Sequence, residues 1–419
     1  MTKILYVLLD GVGDRPIPAL GGKTPLQSAN TTNLKLLAKD AVLGLVYSVG
    51  KGIAPESDIA VFNMLGYGFG EKYVGRGVVE AIGADMEFRT GDVALRANFA
   101  TGSKDMSIID RRAGRDVTQQ DGKTLAEELN KKLKFEDRRT TFTFTHTQGH
   151  RCVLVLRHPD GLSGEVSNTD PGYARLGSMG VASSTGDQSH VRECEPLANS
   201  PEARRTADLV NEFTSKAFDI LDSSAQNAER RKRGSLPANL VLLRDAGDTV
   251  PDLPTLGSRY GLQFGAVVDM PVELGISKLV GFKVYRSMPS RDYAEKVELT
   301  LQALKVCDVV YIHIKGPDEP GHDGLWDLKT QIISEIDSGY FGKLLPSIAG
   351  LKVTIAVSAD HSTPCLAKAH TDDPVPLMIS RSKLGSDGIG SFDEESASHG
   401  SLGTLLGKEV LDKVVSSAV

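Results

Sequence analysis

The chain has 419 residues, 40% of them hydrophobic and 24% charged, which excludes a wholly disordered or fibrous polymer and suggests two or three domains. Lys plus Arg number 48 and Asp plus Glu 54, a net charge of −6 that argues against a non-specific nucleic-acid binder. No apolar run reaches the roughly 18 residues of a membrane span, and the scattered thiols of Cys152, Cys194, Cys307 and Cys365 form no CxxC pair, so a cytoplasmic protein without a thiolate zinc site is expected.

The first predicted element is a strand, Ile4–Leu9, apolar throughout in the manner of a parallel strand buried on both faces. It ends in Asp10-Gly11-Val12-Gly13-Asp14, a glycine-rich turn at the strand's C-terminal end, where open α/β sheets place their ligands. Thr31 or Thr32 can cap a helix carrying Leu34, Leu37 and Ala38. Pro55-Glu56-Ser57-Asp58 precedes a second helix, with Ser57 at or near its N-cap.

Residues 90–237 read differently. They are more polar and carry Arg111-Arg112-Ala113-Gly114-Arg115, the alternating run Thr141–Thr145 and the charge block Glu229–Arg233. We assign them to an inserted α+β domain, with the charge block as a solvated loop or helix end. The α/β alternation then resumes. Tyr293, Val297, Leu301 and Leu304 have helical spacing, and Val309–Ile314 is a strand. Leu328, Ile332, Ile336 and Tyr340 mark another helix, and Val353–Val357 a strand that ends at Asp360-His361. The alternation predicts a mostly parallel sheet with helices on both faces, built from 1–89 and 238–419.

Carboxylates and imidazoles gather where these strands end. Asp10 follows the first, Asp318-x-x-x-His322 the strand Val309–Ile314, and Asp360-His361 the strand Val353–Val357, with His370 nine residues on. Neighbouring parallel strands bring such ends to one place. Carboxylate oxygen and neutral imidazole suit divalent Zn, Mn or Co, and six such donors exceed what one ion takes from protein, so two ions are the natural count. Ser57 has two readings. One is a helix cap. The other is a nucleophile, its hydroxyl acidified by a cation and an incoming phosphate favoured by the helix N-terminus.

Asp10-Gly11, Thr24-Pro25-Leu26, Pro55-Glu56-Ser57-Asp58, Asp318-x-x-x-His322, Asp360-His361 and His370-Thr371 resemble the motifs of the alkaline phosphatase superfamily. Within it, Arg96–Thr101, Asn168-Thr169-Asp170-Pro171 and Pro317–Gly324 make the chain similar to cofactor-independent phosphoglycerate mutases of the archaeal type. The resemblance implies an alkaline-phosphatase-like sheet with a smaller cap domain inserted. It implies one ion among Asp10, Ser57, Asp360 and His361, and another among Asp318, His322 and His370, the metals being Mn, Co, Zn or Mg. Ser57 would carry a phosphoserine as 3-phosphoglycerate and 2-phosphoglycerate interconvert without 2,3-bisphosphoglycerate. Arg244 would contact phosphate, and Arg96, Arg111, Arg112, Arg115 and Arg151 are further substrate candidates.

Two divalent ions are nearly neutralised by Asp10, Asp318, Asp360 and an ionised Ser57. A phosphoglycerate adds about three negative charges. Arginines suit its phosphate and carboxylate. The rival readings are a metal-dependent phosphomonoesterase or other phosphotransferase of the superfamily, and a non-catalytic phospho-ligand binder. A sulfatase is disfavoured because no Cys-x-Pro-x-Arg stretch stands near Ser57.

Overall fold

The computed structural model describes residues 2–68, 75–176, 179–182 and 188–418. The chain divides into two units, one made of 1–69 and 253–419 and the other of 70–252.

The first unit is built on an eight-stranded sheet. Its strands lie in the order Lys283–Arg286, Phe264–Val268, Val309–Ile314, Lys3–Leu9, Val353–Ala359, Val375–Ser380, Ala41–Tyr47 and Gly403–Leu406. Val375–Ser380 pairs antiparallel with both of its neighbours, and every other pairing is parallel. Lys3–Leu9 is central, and Ile4 to Leu9 are all buried, which is why the strand is apolar without alternation. Its register decides the site. Leu9 pairs with Ile314 on one side and Ala359 on the other. The residues that follow, Asp10, Lys315 and Asp360, therefore leave three adjacent strands side by side.

The helix Thr32–Ala38 forms as expected, but neither threonine caps it. The Asp337 carboxylate does so from across the fold, accepting from the backbone N–H of Asn33 and Leu34. The helical spacing Leu328–Tyr340 is realised as Trp326–Ile336 followed by a wider turn, Asp337–Phe341. Among the described residues no helix is long and apolar enough to cross a membrane.

The second unit is wider than 90–237. Strand Val93–Gly102 pairs with Leu240–Gly247 on one side and Arg151–Arg157 on the other, and Thr141–Gln148 follows beyond. These pairings are antiparallel. Alternation along Val93–Gly102 sends Val93, Leu95, Ala97 and Phe99 into a core shared with helices Gln119–Lys132 and Pro201–Asp222. Ala94 faces the other way, against Val78 and Ala81 of helix Arg76–Gly83. Helix Arg76–Gly83 and strand Leu240–Gly247 thus belong to this unit because its sheet buries them. The charge block Glu229–Arg233 is a solvated helix end, as expected, except at Arg230. It lies on helix Ala225–Lys232, where Glu229 and Lys232 are exposed but Arg230 is fully buried.

Candidate active site

Asp10, Ser57, Asp360 and His361 come together in the first unit, all buried. His361 Nε2 lies 3.1 Å from Ser57 Oγ, 3.4 Å from Asp360 Oδ2 and 3.7 Å from Asp10 Oδ1. Two donors bound to one ion at ~2.1 Å stand ~3.0–3.4 Å apart in octahedral or tetrahedral geometry, so the spacing is near that of a ligand set. Asp318, His322 and His370 form a second group. His370 Nε2 is 3.3 Å and His322 Nε2 3.6 Å from Asp318 Oδ1. Asp318 opens the short helix Asp318–Asp323, which puts His322 one turn along on the same face. The His361 and His370 rings stack at 3.8 Å between centroids and join the two groups.

Ser57 is the first residue of helix Ser57–Met64 rather than its cap. Glu56 holds the cap position, without a side-chain capping bond. The Ser57 hydroxyl is thus not spent on the backbone, and it faces His361.

The hydrogen bonds of the imidazoles follow one pattern. His361 Nδ1 is 3.1 Å from Thr363 Oγ1, whose own hydroxyl donates to Asp318 Oδ1, so Nδ1 is the donor. His370 Nδ1 donates to the Pro55 carbonyl at 2.8 Å, and His322 Nδ1 to that of Lys368 at 3.2 Å. These partners assign the tautomers and leave each Nε2 as a lone pair turned toward carboxylates. Asp10 Oδ1 and Asp360 Oδ2 are buried without a well-formed hydrogen bond among the described residues, their nearest N–H neighbours below the site being Lys315 Nζ at 3.2 Å and His313 Nε2 at 3.4 Å. Imidazole Nε2 atoms and carboxylate oxygens facing one another across about 3.5 Å are what a divalent cation satisfies, and the donor set fits that group.

The electrostatics agree. Burial pushes the Asp10 carboxyl up to about 8, helped by Asp360 and Asp318 and opposed by Lys315. Burial also pulls His361 down to about 3, keeping it neutral. Burial works against charge on His370 too, but the hydrogen bond and negative charge of Asp318 prevail and raise it to about 10. A cation is wanted there, and without a metal a proton serves.

Gly11 permits the close packing of this site. Its φ is +59°, and a Cβ there would lie 2.8 Å from Asp318 Cβ, Asp318 Oδ1 and Thr363 Oγ1. Behind it, Lys329 is fully buried and donates to the Gly13 and Thr363 carbonyls and to Asp14. That one ammonium fastens the two loops carrying Asp10 and His361.

The arginine candidates lie in the second unit. Arg244 pairs with Asp170 at 2.9 Å and stacks on the Tyr173 ring at 3.8 Å. Arg111 pairs with the other oxygen of Asp170 at 2.6 Å. Arg96 differs, being held between Glu80 at 3.0 Å and Asp245 at 3.2 Å. Asp245 also lies 3.4 Å from Arg244 and adopts φ 57°, a left-handed conformation unusual for a side-chain-bearing residue. Burial and the charges of Arg151, Arg112, Arg244 and Arg115 push His150 down to about 2, so those four arginines share one strongly positive neighbourhood.

Sequence reasoning passed over His313, Glu273, Lys315, Thr363 and His150. For His313 a signal existed: it is the one imidazole inside the strand Val309–Ile314, whose only other polar side chain is that of Tyr311, and it is fully buried.

A family profile described as 2,3-bisphosphoglycerate-independent phosphoglycerate mutase matches residues 38–227. Proteins of that description from Aeropyrum pernix and Methanopyrus kandleri are 43% and 38% identical to this chain. The alignments cover 97% and 98% of this chain and 96% and 95% of theirs. The structure of a cofactor-independent phosphoglycerate mutase from Thermoplasma acidophilum superposes with a TM-score of 0.62 at 31% identity over 100% of both chains. A Pyrococcus horikoshii protein superposes with a TM-score of 0.79 at 28% identity, over 100% of this chain and 97% of that one.

Proposed function

This chain belongs to the 2,3-bisphosphoglycerate-independent phosphoglycerate mutase family, an isomerase family, and from that membership we propose that Ser57 carries the phosphoryl group between the two hydroxyls of glycerate at a two-ion site. The observation that carries this is the Ser57 hydroxyl, free of capping duty and 3.1 Å from His361 Nε2. Divalent ions held by Asp10, Ser57, Asp360 and His361 and by Asp318, His322 and His370 would favour ionisation of Ser57 and neutralise phosphoryl oxygens.

The residues then divide the work. Ser57 Oγ forms a bond to phosphorus as the bond to the 3-oxygen of glycerate breaks, and that oxygen takes up a proton as Ser57 gives one up. The glycerate stays and turns. Its 2-hydroxyl attacks the phosphoserine, and Ser57 is restored. His370, through its bond to the Pro55 carbonyl, holds the turn that leads into Ser57. Arg111, Arg112, Arg115, Arg151 and Arg244 supply positive charge for the substrate's anionic groups, with Asp170 fixing Arg111 and Arg244. Arg96 acts through Asp245 on Arg244. A product held by these arginines exchanges its phosphoryl group before water can take it. The reaction serves glycolysis and gluconeogenesis, for which the cytoplasm is the fitting place.

Phosphorus NMR of 3-phosphoglycerate with the enzyme and Mn, without bisphosphoglycerate, tests the reading. The 2-phosphoglycerate resonance is expected to appear. Inorganic phosphate in its place would make the protein a phosphomonoesterase.

A further inference from the structure

Beneath Asp10 and Asp360 lies a polar group that the mechanism above does not use. His313 sits one step down its strand, opposite Leu8, on the same sheet face as Lys315, Asp10 and Asp360 by the two-residue period. Its imidazole is fully buried between two carboxylates. Nδ1 is 3.1 Å from Glu273 Oε1 and Nε2 is 3.4 Å from Asp360 Oδ2. Glu273, in the first turn of helix Pro271–Leu279, is buried as well. Lys315 Nζ lies 2.7 Å from Glu273 Oε1 and 3.2 Å from Asp10 Oδ1.

A buried carboxylate such as Glu273 is kept only where it is paired, and it touches neither group of ligand candidates directly. It does touch both residues that lean on those candidates. Asp10 and Asp360 each need one defined oxygen in the site, and a carboxylate on a strand end can rotate about χ2. At Asp360 the backbone N–H groups of Gly11 and His361 hold Oδ1, and His313 and Lys315 meet Asp360 Oδ2 and Asp10 Oδ1, the same atoms that face His361. His313, Asp10 and Asp360 also lie close enough together to hold an ion themselves. However, the Lys315 ammonium already stands between Asp10 and Glu273, so the chain supplies its own cation on that side.

We propose that Glu273 and His313 form a positioning relay for Asp360, with Lys315 as the parallel support of Asp10, so that the relay sets the affinity of the Asp10–Ser57–Asp360–His361 site for its ion. The proposal rests on the two-ion reading above. Nothing in it alters the Asp318–His322–His370 group.

The test counts Mn ions bound to the full chain, by electron paramagnetic resonance of the free ion, alongside melting of the metal-free protein. Wild type is expected to take up two. Glu273→Gln, which keeps shape and removes charge, should weaken one of the two by about 10–100-fold and leave the other. His313→Gln keeps an N–H near Asp360 and should recover most of what His313→Ala loses. Two ions bound at wild-type affinity by both Glu273→Gln and His313→Ala would overturn the relay. Loss of an ion in His313→Ala and His313→Gln, with none lost in Glu273→Gln, would make His313 a ligand and also overturn it. Wild type that binds fewer than two ions would remove the two-ion reading itself, and the relay with it.

Discussion

His370 and Pro55 are joined by a hydrogen bond of 2.8 Å, from the imidazole Nδ1 to a carbonyl two residues before Ser57. The bond does two things at once. It selects the tautomer that turns Nε2 toward Asp318, and it ties the Asp318–His322–His370 group to the start of the helix that displays Ser57. Placement of Ser57 is therefore tied to the state of His370.

Ser57→Ala separates the helix-cap role from the nucleophile. Because the Ser57 side chain caps nothing, the variant should melt within about 1 kcal/mol of wild type, below the upper part of the cap range. Its turnover should fall by about three orders of magnitude or more. A melting curve and a rate on one preparation decide. Acid-quenched wild type with substrate should yield a Ser57 peptide heavier by one phosphoryl group. An alanine variant with a tenth of normal turnover would end the phosphoserine route.

Metal dependence should steepen as pH falls. The metal-free His370 holds a proton up to about 10, chiefly because Asp318 outweighs burial. An ion must displace that proton, so lowering the pH weakens metal binding. Chelator should abolish activity and Mn, Co or Zn restore it. Mn titrations at pH 6, 7 and 8 should show affinity rising with pH. Equal affinity at all three would contradict the assignment of His370 as a ligand.

Arg230 should behave unlike its neighbours. Its guanidinium donates to the carbonyls of Ala113, Asp116 and Leu236 and to the carboxylates of Asp116 and Asp121. The turn it holds contains three successive left-handed residues, Ala113, Gly114 and Arg115, at φ 47°, 75° and 59°. Arg230→Met should cost about 3–5 kcal/mol, the range for breaking a buried ion pair, whereas Lys232→Ala at the surface should stay within about 0.5 kcal/mol. Released from Arg230, the turn should present Arg112 and Arg115 poorly, and KM for phosphoglycerate should rise even under conditions where the variant is fully folded. An unchanged KM would separate this turn from substrate binding.

His150 predicts an acid-side weakness. Folding lowers its pKa from the ordinary 6.5 to about 2, so the unfolded chain binds a proton that the folded chain refuses. Its stabilising share is complete above pH 6.5 and is lost as pH falls below that value. The loss should approach about 1.4 kcal/mol per pH unit well below 6.5, less some solvent screening. His150→Gln should flatten the fall in melting temperature between pH 6.5 and 5. A variant that falls as steeply as wild type would place the acid sensitivity elsewhere.

Asp10 and Asp360 were legible because a continuous apolar strand announces its own end, and the register Leu9–Ala359 carries that boundary into space. His322 was legible because an i,i+4 offset after a strand has one helical outcome. His313 was hidden by the apolar run that contains it, since periodicity reads such a run as core. Glu273 was hidden for a different reason. It begins a helix in a part of the chain with no motif, and only packing brings it under the sheet. Arg230 was misplaced because four charged neighbours made solvent the natural environment, although the Ala113–Asp116 turn needed a buried fork of donors. The Thr32–Ala38 helix shows the same lesson for caps, as its donors are met by Asp337, about 300 residues away.

The central position of Lys3–Leu9 bears on synthesis as well as on chemistry. Its two partner strands, Val309–Ile314 and Val353–Ala359, are made some 300 and 350 residues later. At the ~5–20 residues per second of translation, the N-terminal strand waits roughly 15–60 s for the first of them. Throughout that interval Lys-Ile-Leu-Tyr-Val-Leu-Leu is a β-prone, weakly charged heptamer without a mate, the kind of segment that pairs with copies of itself. The arrangement that delivers Asp10 between Lys315 and Asp360 thus leaves this strand unpaired for most of the chain's synthesis.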